Sequence, residues 1–432
     1  MSYKEFFNDK KIAIIGLGPH GEMLPDIKFL CKNRAIVTVF DMRTESRLKS
    51  IVPQLSSIGI EKTILGKVDE NELVNFDLII ISSEISKKSI FLKKAIQAEI
   101  KIEFPETLFF KLSPPVTLIG IMGQYGKSSV TTMIHSVLKK SFSEYKDQGL
   151  FLIDPDSDYG ALTHLKKIKK DDVVIVRIPE SLLDYYYEMH ISPHVAVVTS
   201  SVDFGILNFQ TYNNFIVAPD EVVDIIKKEK NINSKAKILR TRSNMVPLDW
   251  KIDSRISHHK DNIALVIQTC ELFKVKNDEI QEVIQNIPPQ KGCVEFIKKV
   301  DNVEYYNDAS SISPDSTLSA LKSLSNSRNI ILILGGAYTG YDYTILSKEI
   351  SKYTKMIILL PGSGSLGIRP LLESLKDSSF VQAPSLDQAV LLARDNAIKG
   401  DRVLFSPAFD AVGIDISRKE RGEKFIKMVR NL

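Results

Sequence analysis

Cysteine is scarce in this chain, with three in 432 residues, and none of Cys31, Cys270 and Cys293 forms a CxxC pair. That spacing argues against a structural zinc site or a disulfide framework and fits a reducing cytoplasm. Long apolar runs are also missing. None approaches the roughly 20 residues a membrane span requires, and a stretch such as Ile79 to Ile81 reads as a strand core. Strong charge of one sign is absent too: 57 Lys and Arg against 53 Asp and Glu leave +4. The Lys-rich pieces at 166–170 and 227–230 read as solvated helix faces rather than a nucleic-acid surface. Met1-Ser2-Tyr3-Lys4-Glu5 carries no basic-then-apolar signal pattern. The expectation is a cytoplasmic monomer with no nucleic-acid and no membrane partner. What is present, 44% hydrophobic and 25% charged residues, is ordinary for a globular chain, and the length implies two to four domains.

Three blocks follow one another, expected at 1–112, 113–290 and 291–432. The first opens with Lys11-Ile12-Ala13-Ile14-Ile15, a glycine turn and a helical stretch from Pro25 to Lys32. Ile36 to Phe40, Leu78 to Ile81 and Ile100 to Ile102 continue it. Ser113-Pro114-Pro115 punctuates the chain, and the second block starts with Val116 to Ile121, a glycine turn and a helix from Lys127 to Lys140. Val173 to Val176 and Val195 to Val198 are its further strands. The third begins at Cys293 to Ile297 and contains Ile330 to Leu334, Met356 to Leu360 and Arg402 to Phe405. Short Val/Ile-rich strands alternating with helices predict the α/β class, with parallel sheets covered on both faces.

Two glycine turns carry chemistry. Gly16-Leu17-Gly18-Pro19-His20-Gly21 follows a strand and precedes a helix, and Asp41 comes about twenty residues later, the spacing of a dinucleotide-fold fingerprint. Its glycines allow close backbone approach to a phosphate, and Asp41 could accept from a ribose hydroxyl. This pattern leaves open whether the nucleotide is NAD or a UDP-sugar. Gly123-Gln124-Tyr125-Gly126-Lys127-Ser128-Ser129 lies between strand and helix again. It aims amides and an ammonium at phosphates, with a hydroxyl placed for Mg2+. The strict P-loop spacing would put glycine at 121, where Ile121 stands and Gly120 is its neighbour. The third block adds Tyr306-Asn307-Asp308, Leu334-Gly335-Gly336 and Ser406-Pro407-Ala408, each at a strand end where open sheets bind ligands.

In this order the motifs resemble the Mur ligase family, and within it the MurD type, over essentially the whole chain. Asn307-Asp308-Ala309-Ser310-Ser311-Ile312-Ser313, Leu334-Gly335-Gly336, Ser406-Pro407-Ala408 and Glu420-Arg421-Gly422 carry the likeness in the third block. The resemblance implies a Rossmann-like N-terminal domain, a central P-loop-type ATPase domain and a Rossmann-like C-terminal domain. It implies ATP and Mg2+ as cofactors, with a UDP-linked muramyl precursor and an amino acid as partners. The reaction implied is amide formation through an acyl phosphate. Lys127 and the turn amides (Gly123 to Ser129) would stabilise the transferred phosphoryl group, and Ser128 would hold Mg2+. Asp308 would orient the ATP ribose, and Asn262 would lie near the adenine. Gly16, Leu17, Gly18, Pro19, His20, Gly21, Asp41 and Arg43 would bind the UDP substrate. Ile312, Thr339, Ser406 and Ala411 fall on the amino-acid pocket.

The departures from the family pattern sit at the chemistry. Its P-loop Thr-Asn is Gln124-Tyr125 here, and its metal-binding glutamate falls on Arg177, with Glu180 close by. Its Asp-His pair falls near Asp203-Phe204-Gly205, its carbamylated lysine on Ile216, and its His-Arg on Gly292-Cys293. The D-glutamate pocket's lysine, threonine and serine become Thr339, Ile312 and Ala411. Either other ligands such as Glu180 or Asp203 serve the metal, or the activity has faded or changed.

Overall fold

The computed structural model describes all residues except 1, 19–20, 87, 146–147, 156–159, 253–259, 289–290, 325–326, 339, 375–379 and 412–417. Three sheets carry the chain. The first holds β1 (Lys11–Ile15), β2 (Ile36–Asp41), β3 (Lys62–Leu65), β4 (Leu78–Ile81) and β5 (Lys101–Glu103), all parallel, in the order β3-β2-β1-β4-β5. The second holds β6 (Thr117–Met122), β7 (Leu150–Ile153), β8 (Val173–Arg177), β9 (Val195–Val198), β10 (Phe215–Pro219) and β11 (Lys237–Thr241). It too is parallel, in the order β11-β10-β9-β6-β8-β7. The third runs β12-β13-β17-β14-β15-β16, from β12 (Glu295–Val300), β13 (Val303–Asn307), β14 (Ile330–Leu334), β15 (Thr354–Leu359), β16 (Phe380–Gln382) and β17 (Arg402–Phe405). Only its β12–β13 pair is antiparallel.

The strands that the sequence predicts form because Val/Ile runs suit a pleated surface buried on both faces; β3, β7, β10, β11 and β16 are present beyond them. In β14 the alternation is plain: Ile330, Leu332 and Leu334 join one core with Leu321 and Phe409, while Ile331 and Ile333 join another with Phe405 and Phe425. The first two sheets share one apolar core, running from Phe7 through Ile14, Phe109 and Val176 to Ile226. The chain accordingly forms two compact units, Met1–Met245 with Ala264–Val283, and Val246–Ile263 with Ile284–Leu432. The strand expected from Cys293 begins at Glu295, because Val294 turns at φ +47° and gives its amide to Asp308 instead of to a ladder. Among the described residues no helix is long and apolar enough to cross a membrane.

Strand order decides where loops meet. β1 lies between β2 and β4, β6 between β8 and β9, and β14 between β15 and β17. Connections leave each of these strands toward opposite sides, which opens a crevice at the strand C-termini. All three glycine motifs fall at such a crevice.

Candidate functional site

The turn after β1 is held in left-handed backbone at Gly16, Gly18 and Gly21, with φ of +81°, +75° and +92°. A Cβ on Gly16 would lie 2.7 Å from both Ser82 Oγ and Ile85 Cδ1, so the turn presses against the loop after β4. Asp41, at the end of β2, is almost fully buried and organises this turn. Its carboxylate accepts from the Leu17 amide at 3.0 Å, the Arg43 amide at 2.8 Å, and Arg43 Nε and Nη2 at 2.9 and 2.7 Å. Burial alone would raise its pKa, but the Arg43 guanidinium and the two amides outweigh that and hold it below the usual carboxylate value. Arg43 Nη2 also donates to the Gly18 carbonyl at 2.8 Å. Both Asp41 oxygens are thus engaged by the protein, so the ribose contact expected of it requires Arg43 to give way. Pro19 and His20 lie outside the described residues.

Beside this turn a cleft opens between the first two sheets, lined among others by Gly18, Glu22, Asp26, Ser82, Glu106 and Asp154. Asp26 sits in the first turn of the helix Leu24–Lys32 and is buried. It accepts from the Leu162 amide at 2.8 Å. Burial first, and the neighbouring Glu106 second, push its carboxyl up to about 8, so it is protonated at neutral pH. The Tyr186 phenol, fully buried and also near Glu106, is raised for the same two reasons. No motif pointed to Asp26 or Glu106, because a single acid in an amphipathic helix carries no sequence signal.

The second glycine turn follows β6. Gly123 (φ +137°) must be glycine: a Cβ there would lie 2.3 Å from Thr199 Oγ1 and 2.8 Å from the Ser200 amide. Gly126 (φ +82°) starts the helix Lys127–Tyr145. The Lys127 ammonium folds back over the turn and donates to the carbonyls of Gly123 and of Gln124, the latter at 3.2 Å. Ser200 Oγ accepts from the Gln124 amide at 2.7 Å and the Tyr125 amide at 3.3 Å. Thr199 Oγ1 reaches the carbonyls of Tyr125 and, at 3.2 Å, Met122. Gln124, Tyr125 and Ser128 are exposed, and Lys127 and Ser129 are half-buried. The sequence reading missed Thr199 and Ser200, which are brought here only by the pairing of β9 with β6.

The donor set for a metal is thin. Ser128 stands at the mouth of the turn, but Glu180 is exposed at the start of a separate short helix, Glu180–Leu182. Arg177, where the resemblance implies an acid, is buried and gives its Nε to Asp154 at 2.6 Å. Among the described residues no group of three or more His, Cys, Asp or Glu could hold a metal ion. A nucleotide's phosphates fit the glycine turn, its amides and Lys127. A protein-held Mg2+, which wants several oxygen ligands, does not fit these side chains. Asn262 sits, half-buried, in the first turn of the helix Lys260–Leu272.

In the second unit, Asp308 follows β13 and is buried, accepting from the Val294 amide at 3.1 Å and from Ser406 Oγ at 2.6 Å. Burial pushes its carboxyl up to about 7 against the lowering effect of hydrogen bonds from Ser311, Ser406 and Val294. Ser406 is fully buried, and its hydroxyl is shared between Asp308 and Thr317 Oγ1, 2.8 Å away. It therefore braces Asp308 instead of lining an open amino-acid pocket. Ile312 is half-buried and Ala411 buried, and Thr339 lies outside the described residues. Arg421, also fully buried, donates to the carbonyls of Phe409 at 3.0 Å and Gly335 at 3.4 Å. It ties the loop after β14 to the loop after β17.

Three α/β sheets follow one another along the chain, the first two each with a glycine turn after an inner strand, β1 and β6. Residues 10–103 match the Mur ligase MurD-like, N-terminal domain family. The whole chain is similar to the UDP-N-acetylmuramoylalanine–D-glutamate ligase of Clostridium tetani, with 26% identity over 100% of this chain and 98% of that one. Among solved structures it resembles the UDP-N-acetylmuramate-alanine ligase MurC of Thermotoga maritima. The TM-score there is 0.61 at 16% identity, covering 98% of this chain and 99% of the other. MurF ligase from the same organism, solved in complex with ADP, gives a TM-score of 0.54 at 14% identity over 99% and 97% of the two chains. The chain is thus similar in sequence to MurD-type ligases, with a MurD-like N-terminal domain at residues 10–103, and it shares the fold of solved Mur ligases.

Proposed function

We propose that the chain is an ATP-dependent amide ligase of the MurD type, joining an amino acid to a UDP-linked muramyl precursor. The observation that supports this most is the Gly123–Ser129 turn, set at the crevice of the second sheet in a chain similar end to end to such ligases. In this reading residues 1–112 bind the UDP substrate through Gly16, Leu17, Gly18, Gly21, Asp41 and Arg43. Residues 113–290 bind ATP through the Gly123–Ser129 turn, and 291–432 form the third domain. Lys127 leaves its loop carbonyls for the phosphates and neutralises the charge that develops on the transferred group, a charge-assisted contact in a partly excluded site. Asp308 and Ser406 act as a buried brace that fixes the loops after β13 and β17. Among the described residues the side chains supply too few ligands to hold Mg2+.

A second reading is a catalytically impaired MurD-type protein that binds the UDP-sugar or a partner. The Arg177–Asp154 pair favours it, since it places a cation where the family pattern needs an acid. D-Glutamate is expected to be a poor substrate. Ile312 and Ala411 offer its carboxylate no donor, the Ser406 hydroxyl is committed to Asp308, and each unpaired buried acceptor costs about 1–3 kcal/mol. Phosphate release with ATP, UDP-MurNAc-L-alanine and a panel of amino acids separates the readings. Release dependent on some amino acid other than D-glutamate supports the ligase. Calorimetric UDP binding without any release supports the second reading. Robust D-glutamate-dependent release refutes both the pocket argument and the second reading. Tight NAD binding with no response to UDP would refute the assignment of the first domain.

A further inference from the structure

We propose that Thr199 and Ser200 are positioning residues of the phosphate-binding turn, a clamp supplied by β9 that sets the loop's shape; this rests on the ATP-binding reading above. β9 is hydrogen-bonded to β6 in parallel register, with Met122 opposite Val198. The first residue beyond β6, Gly123, therefore packs directly on Thr199 and Ser200, where a Cβ would lie 2.3 Å from Thr199 Oγ1 and 2.8 Å from the Ser200 amide. Two hydroxyls then hold opposite sides of the same turn. Ser200 Oγ accepts from two consecutive amides, those of Gln124 and Tyr125. Thr199 Oγ1 holds the Tyr125 carbonyl. Both side chains are buried, Thr199 at 6% and Ser200 at 2% exposure, while Gln124 and Tyr125 are exposed.

The arrangement has a chemical consequence. A phosphate-binding turn works by presenting convergent amides. Here the amides of Gln124 and Tyr125 are turned toward β9 and used by Ser200. Recognition therefore falls to the amides of Gly126, Lys127, Ser128 and Ser129, at the start of a 19-residue helix, and to the Lys127 ammonium. Preorganising those donors is worth affinity because a loop that is already ordered loses less entropy on binding. Without Ser200 Oγ, the amides of Gln124 and Tyr125 lose the acceptor that orients them here, and part of the cost of ordering the turn falls on the nucleotide.

The test is calorimetric titration of ATP into the full chain and into Ser200→Ala, Ser200→Thr and Thr199→Val, with a thermal melt of each. Ser200→Ala should weaken ATP binding about tenfold, which is about 1.4 kcal/mol, with an unchanged melting midpoint. Ser200→Thr keeps the oxygen and should restore affinity, a rescue that a purely structural role would not give. Thr199→Val keeps the shape, loses the donor and should weaken binding in the same direction, which preserves the test if Ser200→Ala fails to fold. Wild-type affinity in both Ser200→Ala and Thr199→Val overturns the clamp while leaving the ATP reading standing. Tighter binding by Ser200→Ala overturns it too, since Ser200 would then compete with phosphate. Failure of the wild-type protein to bind ATP overturns the underlying reading and the clamp with it.

Discussion

Asp26→Asn should flatten the pH dependence of stability in the first unit. The native carboxyl titrates at about 8 against 3.8 for the free side chain, with burial the main cause and the Glu106 charge the second. A carboxyl raised in the folded state contributes stability that is full below the unfolded value and is lost as pH rises through the folded one. Between those values the folded protein keeps a proton that the unfolded chain has released, so each pH unit costs about 1.4 kcal/mol. From pH 5 to pH 7 the loss reaches at most about 3 kcal/mol, an upper bound because water entry and relaxation soften burial. Asparagine retains the carbonyl oxygen that accepts from Leu162 and lacks the titration. Melting midpoints followed by circular dichroism at pH 5, 6, 7 and 8 should therefore converge or cross, with the variant gaining on the wild type as pH rises. At about 2 °C per kcal/mol for a unit of this size, the gain from pH 5 to 7 is up to about 6 °C. Asp308, raised to about 7 in the other unit, adds a slope of the same sign to both proteins and cancels in the difference. Parallel curves for the two proteins would refute the argument, since they would mean that Asp26 is ionised in the native state.

Lys127→Ala should weaken ATP binding at least tenfold and leave the melting midpoint within about 1 °C, because a half-exposed residue at a helix start carries little packing; unchanged affinity would make the turn structural only. Arg421→Lys should destabilise the second unit by about 2–3 kcal/mol. One ammonium cannot serve both the Phe409 and Gly335 carbonyls as the planar guanidinium does. Trp250 lies in that unit and is the protein's single tryptophan, so its fluorescence in a urea titration isolates the effect. An unshifted urea midpoint would show that the buried guanidinium contributes nothing net.

The inner strands that carry the motifs, and the three motif loops, are legible because each depends on local pattern, a Val/Ile run and then glycine or another turn residue; strands such as β3 (Lys62–Leu65) and β16 (Phe380–Gln382) are short, lack such a run and are not. The partners of those loops are not legible either. Thr199 and Ser200 lie some seventy-five residues from the turn they hold. Nothing local in Val198-Thr199-Ser200-Ser201 announces a loop clamp, and the sheet order β9-β6-β8 has to be known first. The same holds for Asp26 meeting Leu162, 136 residues away. Asp41 shows the converse: the fingerprint identified it, but the sequence could not show that Arg43, two residues on, occupies both of its oxygens. Ser406 was assigned to a pocket from its motif, whereas burial commits it to Asp308.

Charge in the cleft sharpens the choice between the two functional readings. A UDP-linked ligand is anionic, yet Glu22, Asp26, Glu84, Glu106 and Asp154 all line the space beside the glycine turn. Three features reduce that repulsion. Asp26 is neutral at pH 7 because burial and Glu106 keep it protonated. Asp154 is paired with the Arg177 guanidinium, so the cation that departs from the family pattern also quenches one of the cleft's acids. Arg43 sits on the turn itself and feels the charges of Glu84 and Glu22, which oppose its own. Arg177, which the resemblance places where the family has an acid, would thus remove a metal ligand and, by its pairing with Asp154, make the cleft less hostile to an anion. Binding survives such a change more readily than phosphoryl transfer does. Affinity needs only a net balance of charge, whereas the reaction needs cations placed on the transferred group as its charge develops. UDP affinity is therefore expected under either reading, and the rate of phosphate release is what separates the ligase from the second reading.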